Sequence, residues 1–137
     1  MRVEVEKDEN FDAALTHLDN GGDVKSSYDE ETILKLWKYW RERAMNFLVR
    51  REHSEVELRQ KLRLRECPNW LLDDLIAWFY ERQYLSLERF AYSYAKNRSD
   101  LGYGPIRIRY ELSGQHQVLD ADIEAAFSEI DWVKARK

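Results

Sequence analysis

A chain of 137 residues with 44% apolar content, 13% aromatics and five tryptophans can bury roughly two-thirds of its unfolded surface, enough for one or two small cores. Charged residues make up 35%, so nearly every helix needs a wet face, and five Gly with two Pro leave little material for turns. The net charge of −4 divides unevenly: residues 1–32 hold 3 Lys/Arg against 10 Asp/Glu and the remainder 19 against 16, too mild a basic excess for strong nonspecific DNA binding.

The N-terminal MRVEVEKDEN is charged from its second residue and has no apolar core, which argues against a secretory signal. Residues 1–26 read as an acidic, flexible leader, with one helical turn at FDAALTHL and a loose run at NGGDVKSS. The first helix is expected after Ser27. Asp29, Glu30 and Glu31 sit near its positive end, and Leu34, Trp37, Trp40, Ala44, Phe47 and Leu48 follow at helical spacing to about Arg51. Ser54 and Glu57 form a capping box that starts a second helix with Leu58 and Leu62 on its buried side. Pro68 suits the first turn of a third helix, whose core stripe is Leu72, Leu75, Ile76 and Phe79.

The order then recurs. Ser86 is an N-cap for a helix carrying Leu87, Phe90, Ala91 and Tyr94 and ending near Arg98. DLGYGP is a turn whose glycines supply special backbone angles, and Pro105 starts the next helix. Alternation in IRIRY is compatible with a strand, but a lone strand would have no partner, so a helix is expected. ELRQKL (57–62) aligns with RIRYEL (107–112) at an offset of 50, and LIAWF (75–79) with IEAAF (123–127) at an offset of 48. The chain therefore reads as all-α, built of two tandem three-helix repeats: 27–85 with an N-terminal helical extension, 86–132, and a tail at 133–137.

Three blocks, RREHSEVELRQKL, QYLSLERFAYSYAKNR and GYGPIRIRYEL, resemble in order and spacing the RecX regulatory proteins of bacteria, over about Ala44 to Trp132. The resemblance implies an all-helical fold of tandem three-helix repeats. It also implies binding to the RecA recombinase and its filament on single-stranded DNA, with suppression of ATPase and strand exchange. Two local departures are Leu85-Ser86-Leu87 in place of Leu-Asp-Asp, and the GQHQV region in place of Lys-Gly-Ile. The family commonly continues into a third repeat, whereas two are expected over this sequence, which stops at IDWVKARK.

Arg50 and Arg51 suit a helix C-terminus, where cations complement the dipole, and suit a partner equally. Arg59 alternates with glutamates as a solvated face would. The functional reading is that Arg50, Arg51 and Arg59, with Lys96, Arg98, Arg107 and Arg109 at comparable places in the second repeat, form a basic track for phosphates or acidic RecA surface. Tyr103, exposed on its turn beside Arg107, would join it. The partners expected are RecA, its filament and DNA directly, for a cytoplasmic monomer away from membranes. A free nucleic-acid-binding module and a plain scaffold are the other readings.

No apolar run approaches the roughly 18 residues that span a bilayer. The glycines lack the Lys-Ser/Thr ending of a phosphate loop, so nucleotide hydrolysis is not expected. His17, His53 and His116 lack a metal-ligand pattern, Cys67 is single, and Asp73 with Asp74 suits a wet helix face. Neither an enzyme nor a cofactor is expected. The tryptophans, at helical spacing, are read as core rather than as stacking surfaces for bases.

Overall fold

A computed structural model describes residues 28–132; the expected leader at 1–26 and tail at 133–137 lie outside the described residues. Those described residues are helical, without a strand, in the order α1 (Glu30–Leu48), α2 (Glu55–Leu64), α3 (Asn69–Glu81), α4 (Leu87–Asp100), α5 (Pro105–Tyr110) and α6 (Asp120–Ser128). Between α5 and α6 the backbone widens into a π turn, Glu111–Gln115. The described residues divide into two compact units, one formed by those up to Arg50 with Leu58–Tyr84, the other by Arg51–Glu57 with those from Leu85 onward.

In the first unit Asp29 caps α1, its Oδ1 accepting the Thr32 N–H at 2.8 Å, and Glu30 and Glu31 complement the dipole. The buried stripe of α1 is Thr32, Leu36, Trp40 and Ala44. Leu34, expected in the core, is 51% exposed, because the strict four-residue spacing from Thr32 through Leu36 is what faces α3. The helix stops at Leu48 rather than near Arg51, since the following residues turn to enter the next cap. Leu58 and Leu62 of α2 and Leu72, Leu75, Ile76 and Phe79 of α3 are all buried, as their spacing predicts. Pro68 is the N-cap residue and not inside the first turn; its carbonyl accepts the N–H groups of Leu71 and Leu72. Glu66 and Gln83 close α2 and α3 with positive φ values of 67° and 63°, and the N–H of the next residue reaches back to Leu62 and Phe79.

The second unit packs Phe90, Ala91 and Ala95 of α4, Ile108 and Leu112 around the π turn, and Ile123 and Ala126 of α6 into one core. Ser86 caps α4, its hydroxyl accepting the Arg89 N–H at 3.1 Å. The helix closes at Gly102, with φ of 98° and the Tyr103 N–H returning to the Arg98 carbonyl. Gly104, with φ of −88°, needs no such freedom and is simply the N-cap before Pro105 at the helix start. IRIRY is helical. The internal alignment also holds physically, since Leu58 and Ile108, Leu62 and Leu112, and Leu75 and Ile123 are fully buried pairs of equivalents.

Candidate partner-binding surface

The stretch Arg51–Glu57 is organised by the α2 cap. Ser54 Oγ accepts the Glu57 N–H at 3.1 Å, and the Ser54 N–H approaches Glu57 Oε1 at 3.4 Å, completing the expected capping box. Glu57 also takes a two-pronged grip from Arg51, whose Nη1 lies 3.1 Å from Oε1 while Nη2 bonds Oε2. Burial raises the Glu57 carboxyl, but the hydrogen bond from Arg51, with His53 and the Ser54 N–H assisting, outweighs it and holds the group below its usual range. The Arg51 guanidinium is held more firmly charged through the same bond.

Beside this cap lie two histidines, His53 buried and His116 half-buried. His53 Nδ1 donates to the Arg51 carbonyl at 3.0 Å, a direction required because a carbonyl only accepts. His116, delivered by the π turn, places Nδ1 2.9 Å from Ser54 Oγ and packs its ring against Phe90 and Tyr94 at centroid distances of 4.8 and 5.0 Å. Burial pushes His116 below its ordinary pKa, with Arg51 acting in the same sense and the Glu57 and Glu111 carboxylates opposing. Nδ1 and the Ser54 hydroxyl therefore share one hydrogen bond whose direction is set by the imidazole tautomer.

Glu111 is the centre of a second cluster. The Tyr94 hydroxyl donates to Oε1 at 2.7 Å, Arg98 donates to both oxygens at 3.2 and 3.1 Å, and Arg107 Nε donates to Oε2 at 3.2 Å. Desolvation raises the Glu111 carboxyl, yet these three donors more than reverse it and leave the pKa lowered. Burial, then the bond to Glu111, pushes the Tyr94 phenol up to about 12. The Tyr103 ring has Arg98 and Arg107 guanidinium carbons each 4.3 Å from its centroid. Tyr103 is half-buried and packed on the core, not exposed on the turn as its sequence position suggested.

Of the eight residues expected to face a partner, Arg98, Tyr103 and Arg107 are thus brought together. The other five are dispersed. Arg109 binds Glu124 of α6 and covers Phe127, while Arg59 binds Asp73 of α3 at 2.7 Å, so the two equivalent arginines each tie the second helix of a unit to its third. Lys96 pairs with Asp100 one turn on at 2.9 Å, Arg51 belongs to the cap, and Arg50 is exposed beyond the end of α1. A track of freely available cations is therefore not what these residues make; most are already neutralised by a carboxylate. Glu111 and Tyr94 had no sequence signal beyond helical spacing, because Glu111 meets Arg98 across 13 residues.

Among the described residues no three His, Cys, Asp or Glu side chains gather as a metal site, and no helix is long and apolar enough to cross a membrane. Burial raises the Cys67 thiol to about 12, so it is a protonated core group. Asp73 and Asp74 are exposed, as expected.

Residues 41–78, from within α1 to Trp78 of α3, match the family described as RecX, first three-helix domain. The Regulatory protein RecX of Pseudomonas putida is 45% identical over 96 residues, covering 69% of this chain and 67% of that protein. Those of Pseudomonas savastanoi pv. phaseolicola and Pseudomonas entomophila are 46% and 44% identical over 94 residues, covering 67% of this chain and 60% of each relative. The chain thus aligns with about two-thirds or less of the length of these relatives. Taken with the all-helical, repeated three-helix architecture, these similarities establish that the chain belongs to the RecX family.

Proposed function

We propose that the protein binds the RecA recombinase on single-stranded DNA and restrains its ATPase and strand-exchange activities, so modulating recombination and DNA repair. The observation that carries the reading is the 45% identity to a protein named Regulatory protein RecX. The two repeats, 27–85 and 86–132, act as a wedge in the filament groove and hinder the subunit movements that ATP turnover requires. No chemistry by the protein itself is needed, and the reading assigns it no cofactor, no membrane and a monomeric, cytoplasmic state.

The cluster around Glu111 supports a docking role. Three side chains hold it rigidly, and Arg107, 59% exposed, presents a guanidinium whose position is already set before a partner arrives. Arg98 and Tyr103 brace that guanidinium rather than meeting the partner alone. Arg50, Arg51, Arg59, Lys96 and Arg109 contribute a weaker, salt-screened attraction to an acidic surface or to phosphates.

The test is RecA ATP hydrolysis on single-stranded DNA with increasing amounts of this protein, beside a DNA-only binding control at the same salt. Inhibition at concentrations that leave free DNA unbound is expected. Absence of inhibition by the folded chain would refute the reading. Replacing Arg107 and Arg109 with alanine should weaken filament binding without unfolding the protein, and unchanged binding would remove both from the docking surface.

A further inference from the structure

A different surface, on the first unit, has the charge that the second lacks. Trp78 of α3 has the Arg41 guanidinium 5.5 Å and the Arg82 guanidinium 4.7 Å from its ring centroid. Trp37 meets the same indole edge-on at 6.0 Å, and Tyr84, 45% exposed, lies beside it at 5.8 Å with an interplanar angle of 32°. Lys38, exposed one turn before Arg41, lies on the same side of α1. Among the described residues none of Lys38, Arg41 and Arg82 forms an ion pair, although Glu42, Asp74 and Glu81 are neighbours on the same helices.

We propose that Lys38, Arg41, Arg82 and Tyr84 form a contact site for single-stranded nucleic acid on the first unit. Both guanidiniums lie close to the one indole and, among the described residues, form no ion pair, so phosphates of a strand passing that ring gain from each. Each nucleotide offers a phosphate and a flat base together, which matches uncompensated guanidiniums beside an exposed phenol ring. An acidic peptide would satisfy the cations and leave Tyr84 without a function. The site stands apart from the RecA reading, because it requires only the strand and the first unit.

The experiment is fluorescence anisotropy with a labelled oligo(dT) and with an abasic strand of equal length, in low salt and without RecA. The Arg41→Gln/Arg82→Gln variant should bind both strands about tenfold or more weakly, with the salt slope reduced by about 1.4 for two lost phosphate contacts. Tyr84→Ala should weaken oligo(dT) binding about fivefold and leave the abasic strand unaffected, as loss of one stacked base requires. Circular dichroism monitors folding; if the double variant loses helicity, Lys38→Gln and Tyr84→Ala at exposed positions carry the same test. Wild-type affinity in a folded variant would overturn the proposal, as would no binding by the unaltered chain. Lost RecA association with unchanged oligonucleotide binding would overturn it too, and assign the surface to an acidic protein segment.

Discussion

The two units use arginine in opposite ways. In the second, Arg51, Arg89, Arg98, Arg107 and Arg109 all have a carboxylate partner: Glu57, Glu52, Glu111 for two of them, and Glu124. In the first, Arg41, Arg43, Arg65 and Arg82 lie over Trp78, Tyr39, Phe47 and again Trp78, and among the described residues none has an ion pair; Arg59 with Asp73 is the exception. A guanidinium over a ring keeps its charge for a ligand, whereas one held by a carboxylate is largely cancelled and acts as a brace. The same residue type can thus make a rigid scaffold in one unit and a field in the other.

The comparison is broken most severely at the cores. Phe79 and Phe90 are buried in the first and second units respectively, and replacing either with alanine should cost about 3–5 kcal/mol, measured by urea unfolding. A much smaller cost at one position would mean that its unit collapses around the gap. Next comes Glu111→Ala, which strands the Tyr94 hydroxyl and the Arg98 guanidinium and should destabilise by about 2 kcal/mol. Arg41→Ala, which strands no carboxylate, should cost well under 1 kcal/mol. Equal losses would erase the distinction between bracing and field arginines.

Acid should sharpen it further. A carboxyl with a lowered folded pKa stabilises the fold above its unfolded value and loses that contribution as pH falls through the folded one, so Glu57 and Glu111 should weaken the second unit below about pH 4.5. His116 acts at higher pH with the same sign: because its folded pKa is lowered, the unfolded chain binds the proton first, and stability falls as pH drops below about 6.5. Thermal melting of His116→Asn against pH should show this upper limb flattened while the carboxylate limb persists. An unchanged upper limb would dissociate His116 from the acid response.

A gain in stability, and not a loss, is expected at one of the left-handed positions. Gln117 has a φ of 55°, a conformation that suits glycine, and Gln117→Gly should raise stability by up to about 1 kcal/mol by removing that strain. Chemical denaturation would detect it, and a loss instead would mean that the glutamine side chain contributes more than its backbone strain costs.

Local signals were the readable ones. The capping box at Ser54 and Glu57, the cap at Ser86, Pro105 at a helix start and the Leu58–Leu62 stripe each involve residues within one or two turns, where spacing alone brings groups together. Helix α1 was harder, because Ile33, Leu34, Leu36, Trp37 and Trp40 distribute apolar surface around much of its circumference. Packing against α3 selected Leu36 and left Leu34 wet. The π turn was not legible: Ser113-Gly114 permits helix and turn alike, yet the widened backbone is what aims His116 at Ser54.

The sequence by itself determined an all-α chain, most helix starts, the equivalence of the repeats and, through its resemblance, the RecX family, since all of these rest on residue order and short-range spacing. Only the tertiary structure decided which cations are available. Arg59 finds Asp73 across 14 residues, Arg98 finds Glu111 across 13 and Arg109 finds Glu124 across 15, whereas among the described residues Arg41 meets Trp78 and no carboxylate. Charge neutralisation depends on distances of a few ångströms between different helices, and those distances exist only after the cores have packed.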